Sequence, residues 1–152
     1  MPGWPIGVYV RRRCWSDCGA MSAERPTYLD SSALVKLAVR EPQSAALRRY
    51  VRGRRIVSSA FARTEVARAL LSEAPAAIKR GQDVLAEVDL IRINDRVLTL
   101  ACSLQPDSLG SLDAIHLATA ALLRDGVGRV VTYDDRLAAA ARDAGLPVAA
   151  PK

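Results

Sequence analysis

From Pro26 to the C-terminus, short apolar runs alternate with longer stretches whose apolar residues return every three or four positions. The short runs predict strands at "TYLD" (27–30), "RRIVSS" (54–59), "DLIRI" (89–93), "GRVVTYD" (128–134) and, more briefly, "PVAA" (147–150). Between them the spacing predicts helices. "SALVKLAVRE" (32–41) puts Leu34, Leu37 and Ala38 on one face and is interrupted by Pro42. "QSAALRRYVRG" (43–53) ends at Gly53, and "AFARTEVARALLSEA" (60–74) has Ser58 or Ser59 before it as a candidate cap. Pro75 opens a helix over 75–88 that continues through Gly81, and Asn94 caps "DRVLTLACSLQ" (95–105). Ser111 opens "LDAIHLATAALLRDG" (112–126), and "DRLAAAARDAG" (135–145) closes at Gly145. Strands that alternate with helices need crossover connections. The expected fold is therefore a three-layer α/β/α sandwich around a central, mostly parallel sheet.

In such sheets ligands bind outside the carboxyl ends of the strands, where the strand order switches. Asp30 ends the first predicted strand and Asp134 the fourth. Asp113 falls in the first turn of its helix, and Glu65 lies one to two turns into the helix after the second strand. Each has an ordinary alternative: Asp30, and Asp134 or Asp135, as helix caps, Asp113 as a dipole partner, Glu65 as a surface partner of Arg68. Convergence of all four on one edge would be electrostatically demanding. Two like charges about 4 Å apart repel by roughly 4 kcal/mol at an effective dielectric of 20. Such a cluster must protonate in part or hold a cation, and an all-oxygen site suits Mg²⁺ or Mn²⁺.

Composition narrows the picture. The 152 residues fit one domain, and with 50% hydrophobic and 25% charged residues the chain can build a core. The net charge of +6, of which +4 remains from Gly19 onward, suits a polyanionic partner. No apolar run is long enough to cross a bilayer. Three cysteines, Cys14, Cys18 and Cys102, make neither a disulfide framework nor a zinc site, with Cys102 expected on an apolar helix face. A reducing cytosol is the expected compartment. "WPIGVYV" precedes "RRR", the reverse of signal-peptide order. Residues 1–20 are expected to be a mobile extension or a misassigned start, with Met21 beginning a natural opening and residues 21–152 forming the domain.

Other chemistries lack their parts. His116 is the only histidine, so acid–base catalysis by two histidines is excluded, and no nucleophile elbow accompanies it. Its expected role is that of a packed or hydrogen-bonded helix residue. Neither GxxxxGK[ST] nor GxGxxG follows the first strand.

At "YLDSSALVKL", "SSAFARTEVARAL", "SLDAIHLATA" and "VVTYDDRLAAAARDAGLPV" the chain resembles the PIN-domain family, specifically the VapC-type toxins of toxin–antitoxin pairs. The four pieces occur in order between Tyr28 and Val148. The resemblance implies a metal-dependent endoribonuclease in which Asp30, Glu65, Asp113 and Asp134 hold Mg²⁺ or Mn²⁺ and a water attacks the phosphodiester. Products would carry 3′-hydroxyl and 5′-phosphate ends. It implies support from Ser32 to Asp30, from Thr132 to a metal-bound water or acidic neighbour, and from Asp135 either as assistant or as cap. It also implies an RNA substrate, a cognate antitoxin and a second copy of the chain as partners. Lys36, Arg63 and Arg68 are candidates for RNA phosphate or antitoxin acids, or plain solvated charges. Two rival readings are a non-catalytic RNA- or protein-binding module of the same fold and a magnesium-dependent phosphoacceptor receiver. The second rival would need paired acids after the first strand and a lysine after the last, whereas "YLDSS" has one acid and "PVAA" no lysine.

Overall fold

The computed structural model describes residues 25–123 and 126–152. The proposed extension at residues 1–20 lies outside the described residues. Five strands form one parallel sheet in the order β3-β2-β1-β4-β5. They are β1 (Thr27–Leu29), β2 (Ile56–Ser59), β3 (Asp89–Ile91), β4 (Arg129–Val131) and β5 (Val148–Ala149). The helices are α1 (Ser31–Ala38), α2 (Ser44–Val51), α3 (Ala62–Ala69), α4 (Pro75–Glu87), α5 (Asp95–Ser103), α6 (Ser111–Leu122) and α7 (Asp135–Asp143).

Strand alternation divides the core in two. Leu29 and Val131 face a cluster built with Leu34, Leu37, Leu47, Val66 and Leu70 from the α1–α4 side. Tyr28, Val57 and Val130 face the opposite way, against Leu117, Ala120, Leu137 and Ala141 of α6 and α7. Consecutive strand residues thus serve opposite layers, as the pleat requires. The chain builds outward from β1 through β2 to β3, then returns through α5 and α6 to place β4 on the other side of β1. The order of strands reverses between β1 and β4, which sets the crevice at their carboxyl ends. Among the described residues no helix is long and apolar enough to cross a membrane.

Several local expectations change. The helix expected over 60–74 is confined to Ala62–Ala69, with Phe61 at its N-cap and no side-chain cap. Ser58 and Ser59 belong to β2: the Ser58 hydroxyl donates to the Leu29 carbonyl, and Ser59 Oγ accepts from the Phe61 amide. The C-terminal shortening follows Leu70, which leaves the helix to become fully buried while Leu71 is thrown into solvent. Cys102 is exposed and does not pack on an apolar face. Gly53 and Gly145 end α2 and α7 with positive φ, as expected of helix-ending glycines.

Gly81 sits mid-helix in α4 for a packing reason. A Cβ there would run into Leu70 Cδ1 and touch Val66 and Ala38. Alanine would add about 1 kcal/mol of helix propensity, but overpacking a full core costs roughly 1–3 kcal/mol. Leu70 is fully buried and has no solvent to swing into. Gly81→Ala is therefore expected to lower the urea midpoint; an unchanged or raised midpoint would show that α4 can shift outward at no cost.

Candidate active site

Asp30 follows β1 directly, and its backbone N–H bonds the Val131 carbonyl of β4. Its side chain is buried, at 4% exposure, and caps α1 by accepting from the Ala33 amide at 2.9 Å. Ser32 Oγ donates to the carboxylate at 2.8 and 2.9 Å, and Thr132 Oγ1 donates to Oδ2 at 2.7 Å. The sequence-register pairing Leu29↔Val131 makes the Thr132 contact possible, because the next residues, Asp30 and Thr132, also stand side by side. Burial nonetheless pushes the Asp30 carboxyl above the usual aspartate range, against the pull of Thr132, Ala33, Ser32 and His116.

Asp134 caps α7, accepting from the Arg136 and Leu137 amides at 2.8 and 2.9 Å. Capping and site membership are compatible, since both are met at helix starts along one sheet edge. Asp135 is the exposed first residue of α7, so the cap role belongs to Asp134. The turn is tied back to α1, for the Tyr133 amide donates to Ser32 Oγ at 3.1 Å, and the Asp134 amide to Thr132 Oγ1 at 3.1 Å.

Asp113 lies in the first turn of α6. Burial, then the Asp134 charge, pushes its carboxyl up, with Asp30 adding in the same direction; Arg136 and His116 oppose. Asp113 therefore lies within electrostatic reach of Asp134 and, more weakly, of Asp30.

Glu65, in the first turn of α3, has partners other than Arg68, the ordinary surface alternative to a role in the site. His116 Nε2 lies 2.8 Å from its Oε2, and the Ser31 hydroxyl donates to the same oxygen. Burial would raise the Glu65 carboxyl, but the hydrogen bonds from His116 and Ser31 outweigh it and lower it. His116 is itself buried, with Nδ1 2.8 Å from the Tyr28 hydroxyl. Sequence reasoning missed Ser31 and Tyr28 as parts of the site; it expected His116 to be a packed or hydrogen-bonded helix residue, and the ring is both, but its partner Glu65 was not foreseen. A signal existed: His116 is three residues after Asp113, hence on the same helix face.

An open cleft of about 400 Å³ borders this edge, lined by Ser31, Ser32, Val35, Glu65, Ala69 and Tyr133 among others. Lys36 also reaches it, ion-paired to Glu41 at 2.6 Å and lying 4.9 Å over the Tyr133 ring. Its charge is thus already compensated.

The donor chemistry, carboxylates and hydroxyls only, fits a hard divalent cation. The push of the Asp134 charge on the Asp113 carboxyl is the kind a cation would relieve. Among the described residues no three His, Cys, Asp or Glu side chains already form a group that could hold a metal ion. Mg²⁺ needs no such cage, since it commonly keeps several waters and takes one or two carboxylates plus substrate phosphate.

The PIN domain family model matches residues 27–143. "Ribonuclease VapC46" of Mycobacterium tuberculosis (strain ATCC 25618 / H37Rv) is 58% identical over 125 residues, covering 82% of this chain and 96% of that protein. "Ribonuclease VapC35" of the same strain is 38% identical over 129 residues, with the same coverages of 82% and 96%. The crystal structure of Mycobacterium tuberculosis VapC20, titled a sarcin-ricin loop cleaving toxin, matches with a TM-score of 0.60 at 13% identity. That match covers 75% of this chain and 94% of the other, and it speaks for the fold alone. The chain belongs to the PIN domain family, among its VapC-type members.

Proposed function

We propose that this VapC-type ribonuclease hydrolyses RNA phosphodiester bonds at the rim where β1 and β4 end, through Asp30, Glu65, Asp113 and Asp134 and with Mg²⁺ or Mn²⁺. The observation that supports the reading most is that Thr132 links the two strand ends at the switch point of the sheet, its hydroxyl donating to Asp30 and accepting from the Asp134 amide. Bound there, a divalent cation would supply charge neutralisation for the phosphate and a more acidic water.

The protein's own groups divide the remaining work. Ser32 and Thr132 hold the Asp30 carboxylate in one orientation from two sides. Asp113 and Asp134, both less buried than Asp30, are the carboxylates proposed to meet the cation from the solvent side. Glu65 is kept ionised by its donors and faces the adjoining cleft. Arg136, exposed and 4.0 Å from Asp134, is the proposed contact for an RNA phosphate.

RNA as the substrate accords with the net charge of +6. The cytoplasm is the proposed place of action. A cognate antitoxin laid over the cleft and a second copy of the chain are the proposed protein partners.

Purified protein free of antitoxin should cleave RNA with Mg²⁺ or Mn²⁺, stop in EDTA and resume when the ion is restored in excess. The new ends should be 3′-hydroxyl and 5′-phosphate. Chelator-resistant cleavage that leaves 2′,3′-cyclic phosphates would replace this reading with attack by the ribose 2′-hydroxyl.

A further inference from the structure

The Glu65 carboxylate is held from beneath by a chain of side chains that never reaches the crevice itself. Tyr28 is fully buried in the central strand β1, and its hydroxyl lies 2.8 Å from His116 Nδ1. On the other side of the ring, Nε2 is 2.8 Å from Glu65 Oε2 and 3.1 Å from Ser31 Oγ. We infer that Tyr28 and His116 form a positioning relay for Glu65, fixing the imidazole tautomer so that Nε2–H holds one carboxylate oxygen and turns the other toward the reaction.

Direction follows from what each group can give. A phenol holds its proton at neutral pH, and the Tyr28 hydroxyl, buried 2.8 Å from Nδ1, has that lone pair to donate to. Tyr28 donates and Nδ1 accepts, so the ring proton that faces Glu65 sits on Nε2. The opposite tautomer would aim a lone pair at the Glu65 carboxylate. The Ser31 hydroxyl, free to rotate, accepts from Nε2–H and donates to Glu65 Oε2. Two donors thus converge on Oε2, and none of these bonds uses Oε1.

The relay also ties three layers together. Tyr28 is paired in register with Val57 and Val130 in the middle of the sheet, His116 comes from α6 and Glu65 from α3, on the opposite face. The rings meet edge to face, with centroids 6.0 Å apart and planes at 80°. Among the described residues no buried side-chain nitrogen or oxygen lacks a hydrogen-bond partner, so the chain is closed at each link. Groups that orient a ligating carboxylate or imidazole in this way commonly contribute 10–100-fold to metal affinity or activity.

The inference rests on Glu65 belonging to the ribonuclease site, and its test separates the two claims. Nitrogen-15 NMR of wild-type His116 should show a protonated Nε2 and a bare Nδ1; a proton on Nδ1 overturns the relay without touching the ribonuclease assignment. Tyr28→Phe removes one hydroxyl and keeps the ring. Its Mn²⁺ affinity, measured by electron paramagnetic resonance without RNA, should fall by about 10-fold, and kcat should fall with little change in KM. His116→Gln, which keeps an N–H near the Nε2 position, should retain more Mn²⁺ affinity than His116→Leu. Wild-type affinity and kcat in Tyr28→Phe, or His116→Gln no better than His116→Leu, would refute the relay. Wild-type protein that binds no Mn²⁺ and cleaves no RNA would instead refute the assignment on which it stands.

Discussion

Asp30→Asn protein is expected to cleave RNA at least about 100-fold more slowly than wild type while melting at the same temperature or higher. Losing one site carboxylate removes several kcal/mol of charge stabilisation, and each 1.4 kcal/mol is about tenfold in rate. The fold has little reason to object. Asparagine caps helices about as well as aspartate, so the bond from the Ala33 amide survives. The Ser32 and Thr132 hydroxyls can rotate to accept from the new amide nitrogen. Linkage gives the sign for stability. The folded-state value of Asp30 is raised, chiefly by burial, so its contribution to stability is full below the unfolded aspartate value and is lost as pH rises through the folded one. At neutral pH the ionised carboxylate therefore opposes folding, and an uncharged isostere removes that opposition. RNA cleavage assays and thermal melts at pH 7 check both halves. Loss of activity accompanied by a collapse of the melt would mean that the charge serves the fold.

Leu117→Ala should do the reverse. Leu117, 1% exposed, packs α6 against Tyr28, Val57 and Val130 on the sheet. Truncating a buried leucine costs about 2–5 kcal/mol, from lost transfer energy plus the cavity left behind. Against a typical total of roughly 5–15 kcal/mol, this should lower the melting temperature by on the order of 10 °C. Below the new transition, activity per folded molecule should stay within a few-fold of wild type, because Leu117 serves the apolar core under α6 and carries no group of the proposed chemistry. A large fall in folded-state activity would show that small shifts of α6 are transmitted to Asp113, one turn away. Together, the two variants separate chemistry from packing along the same rim.

The periodicity made the fold legible because the central strands β1 and β4 lie between two helical layers and set apolar residues against both. "YLDSS" and "VVTYDD" end in acids where strands leave the sheet, and the Leu29↔Val131 register brings those ends together. Boundaries were harder. The helix pattern runs on past Ala69, but Leu70 leaves the helix for the core, a tertiary demand that local spacing does not carry. Gly81 likewise reads as a weak point in a helix until the side chain of Leu70 is seen against it. The hydrogen bonds under Glu65 were the least legible part. Ser31 next to Asp30 looks like one more cap, and the Tyr28–His116 contact joins residues 88 positions apart. Only the layer order reveals that β1, α3 and α6 meet at that point.

The account stands on acidic side chains at one edge of the sheet sharing a divalent cation. Carbon-13 NMR of the Asp113 carboxyl, titrated against pH in metal-free protein and again in saturating Mg²⁺, tests this most directly. Without metal the midpoint should lie above the ordinary aspartate value of 3.8, as burial and the Asp134 charge dictate, and Mg²⁺ should displace it downward. A midpoint that Mg²⁺ leaves unmoved would contradict the shared cation.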